Sequence, residues 1–536
     1  MISAQAATDP APSGAGPGAG RGAPRTRWAV LMSLAGGAAL ALAFPPFGVW
    51  PLAVAGPALL TLALTGRGLR GSVACALAFG VAFFFPLLSW LVNVAWYALV
   101  ALAVAETLVF TVLALGQRLL LRLRFWPLAV AGWWVAAEGV RDRWPWAFPW
   151  GRLAMSQAGA PDARWMAIGG APWLTFLLAL TGAVIAWAVL ARARIPVIIA
   201  VVTTGLVLGI GLIPLDPSGG APTAEVAAIQ GNVPRARNLP QQLNDVEVTA
   251  NHAAATRKLA ADVRAGRMPA PDVVLWPENS TDIDPLTDLG IRDEITSAVQ
   301  AIGRPILVGE VLDGPRRNVG QLWTPSGGPQ VPFYIKRQLV PFGEYIPFRG
   351  FLSTFTSLPS LQPINFTPGR SAVIFDVGQL RLGNVICYEV GFDNLVRSEV
   401  AAGANLLTVQ SNDADFEIDG QSGESAQQVA MARMRAIESD RAVVYVSTTG
   451  ESAIIAPDGR VITSSGLWRQ AILQTRVPLV TYRTLADRVG SWPEYVIIAF
   501  TVVSLAMAIG IGAPTAGNMR WVPQLTREGH RASADH

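Results

Sequence analysis

Cysteine and histidine are scarce in this 536-residue chain, which has two cysteines, Cys75 and Cys387, and three histidines, His252, His530 and His536. Two cysteines far apart, in different kinds of segment, build neither a disulfide framework nor a cysteine metal cluster, so any cysteine chemistry belongs to a free thiol. With two of the three histidines in the terminal tail, a Cys-His dyad and a histidine metal site lack material. No metal or nucleotide motif is visible, and no cofactor is expected. Charge is also sparse: 15% of residues are charged, and 41 Lys+Arg against 37 Asp+Glu leave a net charge of +4. The arginines stand between apolar segments, a pattern of membrane topology and not of nucleic-acid binding. What abounds is apolar side chains, 51% of the chain, with a mean hydropathy of +0.39, well above the soluble norm.

Residues 1–26 are rich in Gly, Ala and Pro, with Arg21, Arg25 and Arg27 at the end, and read as a disordered cytoplasmic arm. The apolar run from Trp28 to Phe44 has no polar mature region after it and reads as a signal anchor, the first span. Runs of roughly spanning length follow at about 49–66, 71–93, 97–117, 126–140, 166–190 and 195–214, giving a membrane domain of about seven spans over 27–215. The span at 126–140 is the weakest, cut short by Glu138 and Arg141, and Pro86 and Asn93 interrupt the run from Phe83 to Trp96. Arg67 and Arg70, then Arg118, Arg122 and Arg124, then Arg192 and Arg194 mark alternate short loops as cytoplasmic. The loop from Arg141 to Arg164 carries both signs and fits that rule poorly. Seven crossings put the chain after Asp216 outside, and an eighth span at about 494–513 returns the tail, 514–536, to the cytoplasm.

Between 222 and 488 the composition turns polar. Short β-rich runs (EVAAIQGNV, DVVLWPENS, RPILVGEV, LRLGNVICYE, NLLTVQSND, RAVVYVSTTG) alternate with helical stretches at Asn251 to Ala265, Arg292 to Ala301 and Glu424 to Asp440. An α/β domain is indicated. Ionisable residues fall at strand ends in LWPENS, YIKRQLVPFGEY and NVICYEVGF, where α/β folds assemble their sites. Cys387 ends the strand Leu382 to Ile386. By position alone it reads first as a small core hydrophobe, and second as a strand-end thiol exposed beside a turn. A nucleophilic thiol needs a base and an oxyanion donor, and with no histidine at hand a carboxylate and a lysine must serve. Glu278, after Trp276 and Pro277, suits the base. Lys336, after the strand Val331 to Ile335, suits the donor, and Glu344, eight residues on, can pair with it.

WPE, then YIK with VPFGEY, then ICYE, in that order, resemble the Glu-Lys-Cys signature of the nitrilase superfamily, and QGNV at 230–233, LLTVQSND at 406–413 and MARMRAIES at 431–439 extend the resemblance. It implies an αββα sandwich over 222–488 with Glu278 as base, Lys336 as oxyanion partner and Cys387 as nucleophile. Joined to spans on both flanks, the domain is similar to the membrane-bound apolipoprotein N-acyltransferase branch of that superfamily. The resemblance implies supporting roles for Glu344, Tyr388 and Glu389. It also implies a reaction in which an acyl chain passes from a membrane phospholipid to Cys387 and then to the amine of a diacylglyceryl apolipoprotein, at the outer face of a bacterial plasma membrane. A membrane-tethered amidase is the alternative. Two departures stand out: Asn238 and Leu239 where the family usually has an aromatic residue, and Asp415 and Phe416 where it has a Trp-Phe pair. Segments near Phe342 to Tyr345 and Phe351 to Leu361 are expected to cover the thioester. The loop from Trp144 to Trp150 is expected to anchor helix ends at the membrane interface, and Cys75 to serve packing.

Overall fold

The computed structural model describes residues 26–213, 218–234, 241–354, 357, 360, 362–416 and 423–510. The arm (all but its last residue), the tail, Asn238, Leu239 and Leu361 lie outside these. The first layer holds seven helices: α1 (Thr26–Ala43), α2 (Leu52–Leu64), α3 (Leu69–Leu87), α4 (Trp96–Leu120), α5 (Trp126–Arg141), α6 (Met166–Ala191) and α7 (Arg194–Gly209). Lipid offers no partner to backbone groups, so runs of Ala, Leu and Val in this setting become helices that bond internally. Counting the last helix, α14 (Trp492–Gly510), six are long and apolar enough to cross a membrane, while α2 has 13 residues and α5 has 16. Among the described residues six of the eight expected spans are thus helices of spanning length, and those expected at about 49–66 and 126–140 are shorter helices. α3 stops one residue after Pro86, and a 3-10 turn, Ser89–Val92, re-aims the chain into α4.

The α/β layer contains β1 (Thr223–Gln230), α8 (Gln241–Arg264), β2 (Val273–Leu275), α9 (Leu289–Ile302), β3 (Ile306–Leu312), β4 (Arg317–Thr324), β5 (Gly328–Pro329), β6 (Tyr334–Ile335) and α10 (Arg349–Leu352). It continues with β7 (Ile374–Val377), β8 (Leu380–Ile386), α11 (Asp393–Ala401), β9 (Leu406–Ser411), α12 (Glu424–Ser439), β10 (Val443–Ser447), β11 (Ala453–Ile455), β12 (Val461–Ser464), β13 (Ala471–Pro478) and α13 (Leu485–Val489). One sheet runs β13-β1-β2-β3-β4-β5 with β6 also on β4, and the other runs β12-β11-β10-β9-β8-β7. The sheets meet face to face, and Gln410 on β9 donates to the Trp276 carbonyl at the end of β2 at 2.7 Å. Leu259 of α8 and Ile295 of α9 bury against Val274, Trp276 and Val308 on the far side of the first sheet. α11 and α12 cover the second, giving the αββα order. The apolar runs become strands buried on both faces, as parallel pairing requires. The strand expected from Val331 is shorter than expected, reduced to Tyr334–Ile335.

The two layers are joined at one set of helix ends. Gln427 donates to the carbonyls of Pro45 and Leu87 at 3.2 and 3.0 Å, Asn93 to that of Phe416 at 2.7 Å, and the Tyr388 hydroxyl to that of Ala147 at 2.5 Å. The arginine-bearing connections after α2, α4 and α6 therefore lie at the opposite ends. The misfit of the loop from Arg141 to Arg164 has a physical cause. Arg141 pairs with Glu106 at 2.6 Å, Arg143 with Glu494 at 2.7 Å and Arg152 with Asp393 at 2.7 Å, so these charges are neutralised within the fold and do not act as topology signals.

Candidate active site

Cys387 begins a short 3-10 turn, Cys387–Gly391, directly after β8, and its φ is +51°. A residue with a Cβ adopts this left-handed conformation only when its surroundings hold it there. Glu389 does that holding. Its buried carboxylate accepts from Ile386 N at 2.8 Å, Tyr334 OH at 2.6 Å, Arg337 N at 2.6 Å and Gln338 N at 3.0 Å, fastening the turn to the segment after β6.

That same segment carries Lys336, which is 1% exposed. Its ammonium donates to Glu278 at 2.8 Å and to Glu344 at 3.0 Å. Asn318 on β4 bridges the same two carboxylates at 2.6 and 2.9 Å, and Asn412 N donates to the other oxygen of Glu278 at 3.0 Å. Glu278 arrives through the parallel pairing of β2 and β3. A Cβ at Gly309 of β3 would stand 2.7 Å from the Glu278 Cα, so only glycine admits this approach. The structure thus brings Glu278, Lys336, Glu344, Cys387, Tyr388 and Glu389 into one cluster.

Burial, and then the carboxylate of Glu278, push the Cys387 thiol well above its ordinary range, with Lys336 pulling the other way. Burial would depress Lys336, but Glu278 and Glu344 hold it well above the usual lysine range, so it stays charged. Burial raises Glu278, Lys336 lowers it, and the like charge of Glu344 raises it again. The cluster therefore holds a neutral thiol, a fixed cation and a carboxyl poised to accept a proton.

Sequence reasoning missed two residues. Asn318 had no signal in RNVGQLW. Gln428 donates to Cys387 Sγ at 3.4 Å, and its orientation is fixed by donation to Glu424 and by acceptance from Ser411 at 3.4 Å and Tyr445 at 3.3 Å. The spacing of Glu424 and Gln428, one helical turn apart, was the available clue.

Tyr388 corrects the reading of the loop from Trp144 to Trp150 at Phe148 and Trp150, while Trp144 stays exposed. The Tyr388 ring stacks on Trp150 at 5.5 Å and 14°, and Phe148 lies 6.4 Å away, with both loop aromatics buried. The loop thus packs against Tyr388, the residue next to Cys387, and Arg141 holds it through the Trp150 carbonyl at 2.6 Å. Phe416, across from Trp90 at 5.3 Å, ties the other departure to the membrane layer. His252 is remote from this chemistry: it packs on Trp276, and burial pushes its pKa down to about 4. Cys75 is buried in α3.

Known proteins resemble both layers. The family model for the apolipoprotein N-acyltransferase N-terminal domain matches residues 36–184, and that for carbon-nitrogen hydrolase matches 313–487, a stretch that holds Lys336 and Cys387 and begins after Glu278. Apolipoprotein N-acyltransferase from Mycolicibacterium smegmatis is 37% identical over 92% of this chain and 86% of its own length. The chain belongs to the apolipoprotein N-acyltransferase family. The family's protein from Azotobacter vinelandii is 30% identical over 86% of this chain and 92% of its own. Among solved structures, an amidase of the nitrilase superfamily from Nesterenkonia is 18% identical with a TM-score of 0.36, over 52% of this chain and 95% of that one.

Proposed function

We propose that this membrane enzyme moves an acyl chain from a phospholipid, through a thioester on Cys387, to the N-terminal amine of a diacylglyceryl-cysteine apolipoprotein. The observation that carries the reading is the buried Glu278–Lys336–Cys387 cluster, with Tyr388, next to the cysteine, stacked on a loop of the membrane layer. Glu278 takes the thiol proton, and the thiolate attacks the ester carbonyl. Lys336 donates to the oxyanion, and Gln428 donates to sulfur. The C–O bond breaks and Glu278 returns the proton to the departing lysophospholipid alkoxide. The amine then attacks the thioester and gives a proton to Glu278. The C–S bond breaks, and that proton ends on the leaving thiolate. Glu344 positions Lys336, Glu389 holds the strained turn, and Tyr388 links it to the membrane layer.

The arginine-bearing connections, at the ends of the helices remote from the α/β layer, support a catalytic domain on the outer face of the plasma membrane. Exposed Phe342, Phe348 and Phe351, around the VPFGEY segment, suit lipid entry and cover of the thioester. Mass spectrometry of purified enzyme mixed with defined phospholipid and no amine tests the scheme. A hydroxylamine-labile acyl adduct on Cys387 is expected, absent in Cys387→Ala. Full turnover by wild type without that adduct would sink the two-step route. Rapid release of free fatty acid in place of a stable adduct would favour water as acceptor, the amidase reading.

A further inference from the structure

A cavity of about 440 Å³ lies away from Cys387, between the 3-10 turn Pro161–Trp165 that leads into α6 and the hairpin joining β11 to β12. Arg164, Arg433 and Arg460 line it, with Asp458 as the single acidic lining residue. Arg433 stands on the face of α12 turned away from Gln428. It donates to the Gly459 carbonyl at 2.8 Å and the Ala158 carbonyl at 3.4 Å, and Arg164 donates to the Ile213 carbonyl. Among the described residues neither has a carboxylate within 4.0 Å, and Arg460 reaches Asp458 only at 3.9 Å. Burial draws the Arg433 pKa down with Asp458 alone opposing it. Arg164 and Arg433 are thus half-buried without a carboxylate partner among the described residues, and Arg460 is exposed beside Asp458, so three positive charges against one negative leave the site cationic and invite an anion.

The backbone keeps the space open. Gly159 has a φ of +98°, and a Cβ there would stand 3.2 Å from a terminal nitrogen of Arg433, so a side chain would intrude on the cavity. The height in the molecule is also informative. Gly211, just beyond α7, packs on Pro161, where a Cβ would come within 2.9 Å of the Pro161 Cα, and Trp165 donates to the Val207 carbonyl at 2.9 Å. The cavity therefore lies level with the ends of α6 and α7 that face the α/β layer, where lipid phosphates reside.

We propose that this cavity binds a phosphate group, carried by a glycerophospholipid headgroup or free in solution, at a site separate from the acyl-transfer centre. Three guanidinium groups match the charge and the several acceptors of a phosphate. The other face of α12 carries Gln428, so an occupant here does not compete for Cys387.

Full-length enzyme in nanodiscs containing phosphatidylglycerol with a headgroup diazirine tests the lipid source, with adducts mapped by peptide mass spectrometry. Thermal shift of the detergent-purified enzyme with millimolar inorganic phosphate tests the free source. Val461→Glu puts a carboxylate among the guanidinium groups while keeping all three arginines and their carbonyl bonds. Arg164→Gln with Arg433→Gln removes two of the charges. An adduct within 159–164 or 458–461 that falls roughly tenfold in both variants assigns a lipid phosphate. A phosphate-induced shift lost in both variants, without that adduct, assigns a free phosphate. Neither signal in wild type, an adduct unchanged in Val461→Glu, or equal labelling by a diacylglycerol diazirine without phosphate would each overturn the proposal. These readouts are independent of acyl transfer, so they stand or fall apart from the proposed function.

Discussion

The sulfur of Cys387 is served from two sides that differ in kind: charged groups around Lys336, and the neutral amide of Gln428. A thiolate accepts an N–H more strongly than a thiol does, so the Gln428 donor favours the charged nucleophile and, later, the thiolate leaving group. Gln428→Met keeps the volume and removes the donor. The pH midpoint for alkylation of Cys387 by iodoacetamide is expected to rise by about one unit, and an unchanged midpoint in folded enzyme would refute the role. Glu344 offers a second test at this scale. Glu278 is raised above 4.5 by burial, then pulled down by Lys336 and raised again by the like charge of Glu344. As the base it acts only when ionised, so kcat/KM falls as pH drops through that raised value. Removing the like charge in Glu344→Gln moves this acid limb to lower pH, and loss of one charge-assisted bond to Lys336 lowers kcat about tenfold. A limb that stays in place or moves up would exclude Glu278 as the titrating base.

Elements deliver these residues with unequal legibility. The strands ending at Leu275 and Ile386 were readable because apolar runs bounded by turn residues leave few alternatives, so Glu278 and Cys387 fell at strand ends as expected. The left-handed turn at Cys387 was not readable, since nothing in the local residue types demands a positive φ; three distant donors to Glu389, together with the nearby Ile386 N, impose it. Asn318 was invisible for a similar reason, since its partners lie on other elements, while for Gln428 only the spacing from Glu424 on the same helix offered a clue. The β3–β4 pair holds another such case, Glu310, fully buried and accepting from the Trp323 indole. Burial raises its pKa to about 8. A folded pKa above the unfolded one contributes stability that is present below the unfolded value and lost as pH rises through about 8. Glu310→Gln, which keeps the acceptor, is therefore expected to raise the Tm relative to wild type at pH above 8 and to change it little near pH 5. Equal effects at both pH values would contradict burial of an ionisable carboxyl there.

Across the whole molecule the division into a membrane layer and an α/β layer was legible from composition, yet the joint between them was not. Sequence reading took the loop from Arg141 to Arg164 for a topological anomaly and its aromatics for interfacial anchors; its paired charges, Phe148 and Trp150 belong to the joint, while Trp144 stays exposed. At its centre Asp393, at the start of α11, accepts from Arg152 at 2.7 and 3.1 Å and pairs with Arg435 at 2.7 Å. Burial alone would raise this carboxyl, but Arg152, Arg435 and Arg397 outweigh it and hold it well below the usual carboxylate range. A depressed pKa gives stability that is present above the unfolded value and lost only as pH falls through the folded one, so the Asp393 pairs persist under mild acid. Asp393→Asn keeps the shape and removes the carboxylate that Arg152 and Arg435 share, leaving Arg152 with Asp142 at 3.3 Å and Arg435 with Glu438 at 2.5 Å, so the cost falls below the roughly 3–5 kcal/mol of a fully uncompensated buried charge. The loss falls between the layers, because Arg152 belongs to the membrane loop and Asp393 to the α/β layer. That loop also carries Trp150, on which Tyr388 stacks beside Cys387. Loosening the joint should therefore lower acyl-enzyme formation together with the Tm, and limited proteolysis should open first between α5 and α6. A variant that loses stability while forming the Cys387 thioester at the wild-type rate would show that the membrane loop does not set the geometry of the nucleophile.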